Sequence, residues 1–309
     1  MTDADWLAQL PVIGNLPPDL AAAKLREVGE DEIAQALADA PELAPATYGV
    51  LSRFGIGRDR AWQHTAHAIG YLAPVDGPQT SLLEIQQAGN IASDEALKGS
   101  RIKLTLDGLR VADYPGRGMH RVLFDFAARN QTGKGAEQLH FHTTYPVREG
   151  EQAAAQGRPI FVGLQVGADG LFLQCATLNV LNQGDEALLR FLDGDAFKGG
   201  LQLLTTAQPV LAPFVALTLG LTETIAARNR NVTVQAVDMG LDFSRIPLRP
   251  KLAEGSYIAV QIPETLQSVW SWEDWRYDPI TGHVVNTLER DLLIPYNYFV
   301  VSVSRYQGP

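Results

Sequence analysis

PIFVGLQVGADGLFLQCATLNV, residues 159–180, is the stretch on which the fold class turns. Two apolar runs, PIFVGLQV and LFLQCATLNV, flank Asp169-Gly170. Asp-Gly suits the positive φ values of a tight two-residue turn, so the stretch predicts a β-hairpin. The same period of two recurs outward from it. RIKLTLDGLRV (101–111) places Ile102, Leu104 and Leu106 on one side, and MHRVLFDFAARN (119–130) and LHFHTTYPV (139–147) alternate again. VTVQAVDMGLDF, SYIAVQI, HVVNTL and NYFVVSVSRY continue the pattern to residue 306. RYDPITGHVV adds a second hairpin, with Pro279 and Gly282 shaping its turn. Short strands separated by Gly, Pro, Asp and Asn turns predict an antiparallel β-sandwich, C2-like or jelly-roll-like in kind.

Toward the N-terminus the period changes to that of helices. PPDLAAAKLREV offers Pro17 and Pro18 ahead of Asp19, then good helix formers. EDEIAQALADA follows Gly29, with acids in its first turn and Pro41 after it. RDRAWQHTAHAIGYL sets Trp62, Ala66 and Ile69 at helical spacing and predicts a third helix. PVDGPQT, residues 74–80, reads as a linker. The expected class is therefore α+β: a helical region over 1–75, then a β-sandwich domain over 76–309. That domain is interrupted at about 185–230 by two helices, EALLRFLDGDAFK and PFVALTLGLTETIAARN.

The second of these helices lies partly in Gly199–Thr222, the longest uncharged run in the chain. Pro209 and Pro213 break it, so the natural helix starts near Pro213 and ends near Arg228. That is roughly 24 Å, short of a hydrocarbon core of about 30 Å. Phe214, Leu217, Leu221 and Ile225 form one stripe, which predicts a buried core helix; the alternative is a segment that inserts into membrane.

The 309 residues carry a net charge of −10, which repels phosphate backbones, so no nucleic-acid partner is expected. Cys175 is the only cysteine, so no intrachain disulfide forms, and the N-terminal Met-Thr-Asp-Ala-Asp has no basic or apolar leader character. Both lead to the expectation of a cytoplasmic protein. Cys175 itself reads as a small buried residue. DYPGRGMH, residues 113–120, has glycines around Arg117 but no following Lys-Ser/Thr, and reads as a tight β connection rather than a phosphate loop.

Three groups bear on chemistry or recognition. His140 and His142 stand two apart on a predicted strand, so both rings share a face. Imidazole pairs with a carboxylate hold Zn, Fe or Mn, and His120 or Asp125 in the preceding strand is the candidate third ligand. The pair resembles a fragment of the cupin motif. There the His-x-His is followed by a Glu some four residues on, whereas the first acid here is Glu149, followed by Gly150, and no second cupin motif is visible. The alternative is a pair of histidines on a solvated strand face. His64 and His67, three apart on the expected third helix, would share a side, without a partner acid.

Asp193 and Asp195 flank Gly194 in a loop, and closely spaced loop carboxylates bind calcium. This resembles the lipid-bridging loops of C2-like domains, although Lys198 stands where another acid would help and Asp274 and Asp278 are distant in sequence. The alternative is a capping and turn pair. Finally, VWSWEDW holds Trp270, Trp272 and Trp275. Indoles in this density either close a core or make a platform for a partner.

The chain contains no nucleophile elbow, Walker, zincin, zinc-finger or dinucleotide-binding signature. The leading expectation is a cytosolic protein-binding or adaptor module using the tryptophans. One alternative is a membrane-active protein, either a calcium-dependent lipid binder or a pore-former releasing residues 199–222. The other is a metal-dependent enzyme using His140 and His142.

Overall fold

The computed structural model describes residues 6–39, 60–132, 135–153, 157–203, 220–244, 246 and 249–308. It is mostly β, with a few short helices and several sheets. The alternating segments become strands as expected. In chain order, the large sheet takes β1 (Ala66–Leu72), β3 (Gln86–Gln87), β4 (Arg101–Arg110), β7 (Gln152–Ala153), β8 (Arg158–Gln165), β11 (Leu201–Gln202), β14 (Gly255–Ile262) and β17 (Tyr298–Arg305). Its spatial order is β11-β8-β4-β17-β14-β1-β3, with β7 also on β4. A four-stranded sheet has the order β12 (Asn231–Asp238), β10 (Leu173–Val180), β5 (Met119–Thr132), β6 (Gly135–Arg148). Two small sheets pair β9 (Gly170–Leu171) with β13 (Leu241–Asp242), and β15 (Trp275–Tyr277) with β2 (Leu83–Glu84) and β16 (Val284–Asn286).

The two large sheets meet through aromatic side chains. Phe299 of β17 lies edge-on to Phe124 and Phe126 of β5, with ring centroids 5.8 and 6.4 Å away, and Phe141 of β6 meets Phe161 of β8. Successive residues of a strand point to opposite faces. Phe299, Val301 and Val303 therefore join this core, while Tyr298 and Val300 join a second core beneath the β2-β15-β16 sheet. Both faces of the middle strands are covered, which is why they are buried almost throughout.

The far face of the four-stranded sheet carries the helices. α1 (Trp6–Gln9), α2 (Pro18–Glu27) and α3 (Asp31–Ala38) bring Trp6, Ala21, Leu25, Ala34 and Leu37 into the main core. α2 and α3 form where expected. The expected helix over 58–72 does not: a 3-10 turn, Ala61–Gln63, leads into β1, which pairs with β14 from Ala66↔Ile262 to Leu72↔Ser256. β1 thus lies before the expected boundary at residue 75. A strand buried on both faces shows no alternation, so its apolar residues fell into helical spacing by accident.

The expected 159–180 hairpin is also corrected. β8 pairs with β4 and β11, whereas β10 pairs with β5 and β12, so the chain changes sheets between them. Gly170 sits at φ +132°, and a Cβ there would lie 2.7 Å from Asp242 Cα. Its neighbours pair with β13 instead of closing back on β8. The second predicted hairpin forms: β15 and β16 are antiparallel across Pro279–Gly282.

The inserted helices are short: α4 (Glu186–Leu192), α5 (Asp195–Lys198) and α6 (Leu221–Ala226). Residues 204–219, most of the uncharged run, lie outside the described residues, so of the helix expected from Pro213 only α6 is described. Among the described residues no helix is long and apolar enough to cross a membrane. Beyond α6, Arg228 pairs with the buried Asp185.

Candidate functional site

The three tryptophans belong to the small sheet on the outer side of the large one. Only Trp275 is in a strand; Trp270 and Trp272 precede it in a loop. Trp272 is 4% exposed. It enters the second core beside Ile85, and a Cβ on Gly70 would lie 2.5 Å from Ile85 Cγ2 and 2.9 Å from the Trp272 ring, so β1 needs a glycine there. Trp270 and Trp275 are half-buried and parallel, their planes 4° apart and their centroids 6.5 Å apart. Trp270 also meets Trp272 and Tyr296 edge-on at 5.5 and 6.0 Å. One indole anchors the module while two keep an open edge. In the same stretch of sequence, Val269, Ile280, Leu288 and Leu292 are four of the nine exposed large apolar side chains among the described residues.

His140 and His142 do share a face, with ring planes 18° apart. The β5–β6 register sets Asp125 opposite His142 and Ala127 opposite His140, so Asp125 joins them. His140 Nδ1 lies 2.9 Å from Asp125 Oδ1. Thr222 of α6 donates its single proton to Asp125 Oδ2 at 2.6 Å, so its lone pairs accept from His142 Nε2 at 3.0 Å. Burial alone would raise the Asp125 carboxyl, but His142 and His140, by charge and by hydrogen bonding, outweigh it and hold the group well below the usual range. Trp6 covers His140 at 5.0 Å. Asp125 and His142 are at most 1% exposed, so this is a closed network that ties α6 to the sheet. Neither histidine lies on a solvated strand face.

His120 does not join it. Five residues from Asp125 along β5, it points to the opposite face, where Asn179 Nδ2 donates to its Nδ1 at 2.9 Å and Tyr114 packs on its ring. Among the described residues no group of three or more His, Cys, Asp or Glu is arranged to hold a metal ion. Asp193 ends α4 and lies 3.7 Å from the Arg158 guanidinium, and Asp195 opens α5. Asp278 is spent on its own turn, accepting from Ile280 N and Thr281 Oγ1. His64 and His67 are not on a helix: His64 ends the 3-10 turn and His67 lies in β1, where burial lowers its pKa to about 4. Cys175 is fully buried, which pushes its thiol up.

Sequence reasoning named Asp125 but missed Thr222, which lies 97 residues away. The chain matches no family model, no curated protein and no solved structure.

Proposed function

We propose that the chain is a non-catalytic binding module that holds a protein partner through the tryptophan module, and that its two large sheets constitute an antiparallel β-sandwich serving as the rigid support. The observation that carries this is the half-buried parallel pair Trp270 and Trp275, with Trp270 edge-on to the buried Trp272. Partly exposed indoles give large contact area with little rotamer entropy to lose, and energetically dominant interface residues are enriched in Trp. The sandwich reading is supported by the Phe299 contacts across the two sheets. A reducing compartment such as the cytoplasm suits a chain whose single cysteine is buried and unpaired.

The test is affinity capture from the native host, followed by titration of the captured partner, purified, against Trp270→Ala and Trp275→Ala. Loss of a Trp hot spot weakens binding by about 2 kcal/mol or more, about thirtyfold. Unchanged affinity in both variants removes the module from the reading.

A further inference from the structure

Away from the tryptophan module and the Asp125 network, a cavity of about 560 Å³ lies between the start of α3 and the β4–β5 connection. Small-molecule sites span about 300–1,000 Å³, so the volume suits a compact ligand. The cavity is lined by Glu30, Glu32, Arg60, Asp113, Arg117 and Glu149, together with backbone.

Asp113 is 8% exposed and lines this cavity. Arg60 Nη1 donates to its Oδ1 at 3.0 Å, and no other described residue donates to the carboxylate, so Oδ2 is left open on the cavity side. The segment carrying Asp113 is held by side chains from other strands and loops. Ala112 N and Asp113 N both donate to Asn297 Oδ1, at 2.8 and 3.0 Å. Asn297 Nδ2 donates in turn to Asp113 O and to Gln261 Oε1. Asn179 donates to Pro115 O, and the Tyr114 hydroxyl shares a proton with Thr177. Asn297, Gln261, Asn179 and Thr177 are all fully buried. Buried amides used to fix a connection rather than a ladder are what a preorganised site requires. Behind the wall, buried His120 keeps an unpaired Nε2 and lies within electrostatic reach of Glu30 and Glu149.

The charge balance names the ligand. With Asp31, acids outnumber the two arginines on the wall by five to two. Glu30 is already engaged by Gly116 N, while Glu32, Glu149 and Arg117 form no ion pair among the described residues. The acids are not arranged as a metal site. A bare ion is therefore a poorer match than a cation that spreads its donors over several acceptors.

We propose that this cavity binds a small organic ammonium compound, with Asp113 Oδ2 and Glu149 accepting its N–H groups and Arg117 at the rim taking a carboxylate when the ligand carries one. The site is separate from the tryptophan module, and neither proposal depends on the other.

The test is calorimetric titration of the full chain with butylamine, 1,4-diaminobutane and lysine, with butanoate as the control lacking an ammonium. One site per chain is expected for at least one amine. Charged hydrogen bonds are worth about 1.5–3 kcal/mol, so Asp113→Asn should weaken it by at least about tenfold. Arg117→Ala should weaken lysine alone, which distinguishes an amino acid from a plain amine. Circular dichroism checks folding; if Asp113→Asn does not fold, the exposed Glu149→Gln, expected to weaken binding by about threefold or more, carries the test. The proposal is overturned if no amine binds at about 10 mM, a level that would detect even weak ligands. It is equally overturned if both variants bind as the parent does, or if butanoate binds as well as the amines.

Discussion

Replacing Asp113 by Asn should stabilise the protein at neutral pH. Burial, opposed by the Arg60 charge and hydrogen bond, raises the Asp113 carboxyl from 3.8 to about 6. A carboxyl with a higher pKa folded than unfolded holds its proton more tightly in the folded state. Its contribution is therefore fully present below about pH 4 and is lost as pH rises through about 6. The rise of about two units corresponds to about 3 kcal/mol. Asn keeps an oxygen for Arg60 but forfeits the charge attraction, which is modest because the Arg60 side chain is 31% exposed. The net expectation is a gain of about 1–3 kcal/mol at pH 8, shrinking to nothing near pH 4. Urea unfolding followed by tryptophan fluorescence across pH 4–8 measures it, with constant slopes as the check on compactness. An Asn variant less stable at pH 8, or a gain independent of pH, would refute the reasoning. A folded state that keeps a carboxylate at a loss in stability is expected where the group is needed for binding.

Other substitutions test other parts of the structure. Thr222→Val removes the 2.6 Å donor to Asp125 Oδ2 and the 3.0 Å partner of His142 Nε2, leaving Oδ2 with His140 Nδ1 at 3.2 Å and His142 Nε2 at 3.4 Å, and should lose about 1–2 kcal/mol in chemical denaturation. Because the Asp125 carboxyl is held low, its stabilisation is present above its unfolded value of 3.8 and is lost as pH falls below it. Asp125→Asn should therefore flatten the acid limb of the stability curve. Trp272→Ala empties a buried site and should cost about 3–5 kcal/mol, whereas Trp275→Ala, half-buried, should cost clearly less; equal denaturation midpoints would contradict the anchor role. Gly170→Ala combines φ +132° with a backbone clash at Asp242 and should lower the midpoint by more than about 2 kcal/mol; a neutral result would show that the crossing point relaxes.

What the chain order reveals is mostly local. Strands with one covered face, such as Arg101–Arg110, announce themselves by alternation, and so does the shared face of His140 and His142. β1 did not, because core covers both of its sides. Asp169-Gly170 was a correct turn signal with the wrong destination: nothing local says whether a strand turns back on its neighbour or crosses to another sheet. Asp125 was accessible through register, since a β5–β6 hairpin fixes which residue faces His142. Thr222 was not, because its position depends on how α6 lands. The cavity was least legible of all, as Glu30, Arg60, Asp113 and Glu149 come from separate segments that only the finished fold assembles.

The position of β17 governs how the molecule is made. Among the described residues it is the last strand in chain order, yet it lies between β4 and β14 at the middle of the large sheet. During synthesis, both of those strands emerge before the one that joins them, so each presents an unpaired edge until residue 305 leaves the ribosome. The sheet assembles late and by long-range pairing, which slows folding and lengthens the interval in which nascent chains are vulnerable to association. A stop codon before residue 298 would therefore do more than shorten the protein: it would leave two half-sheets with no strand to unite them.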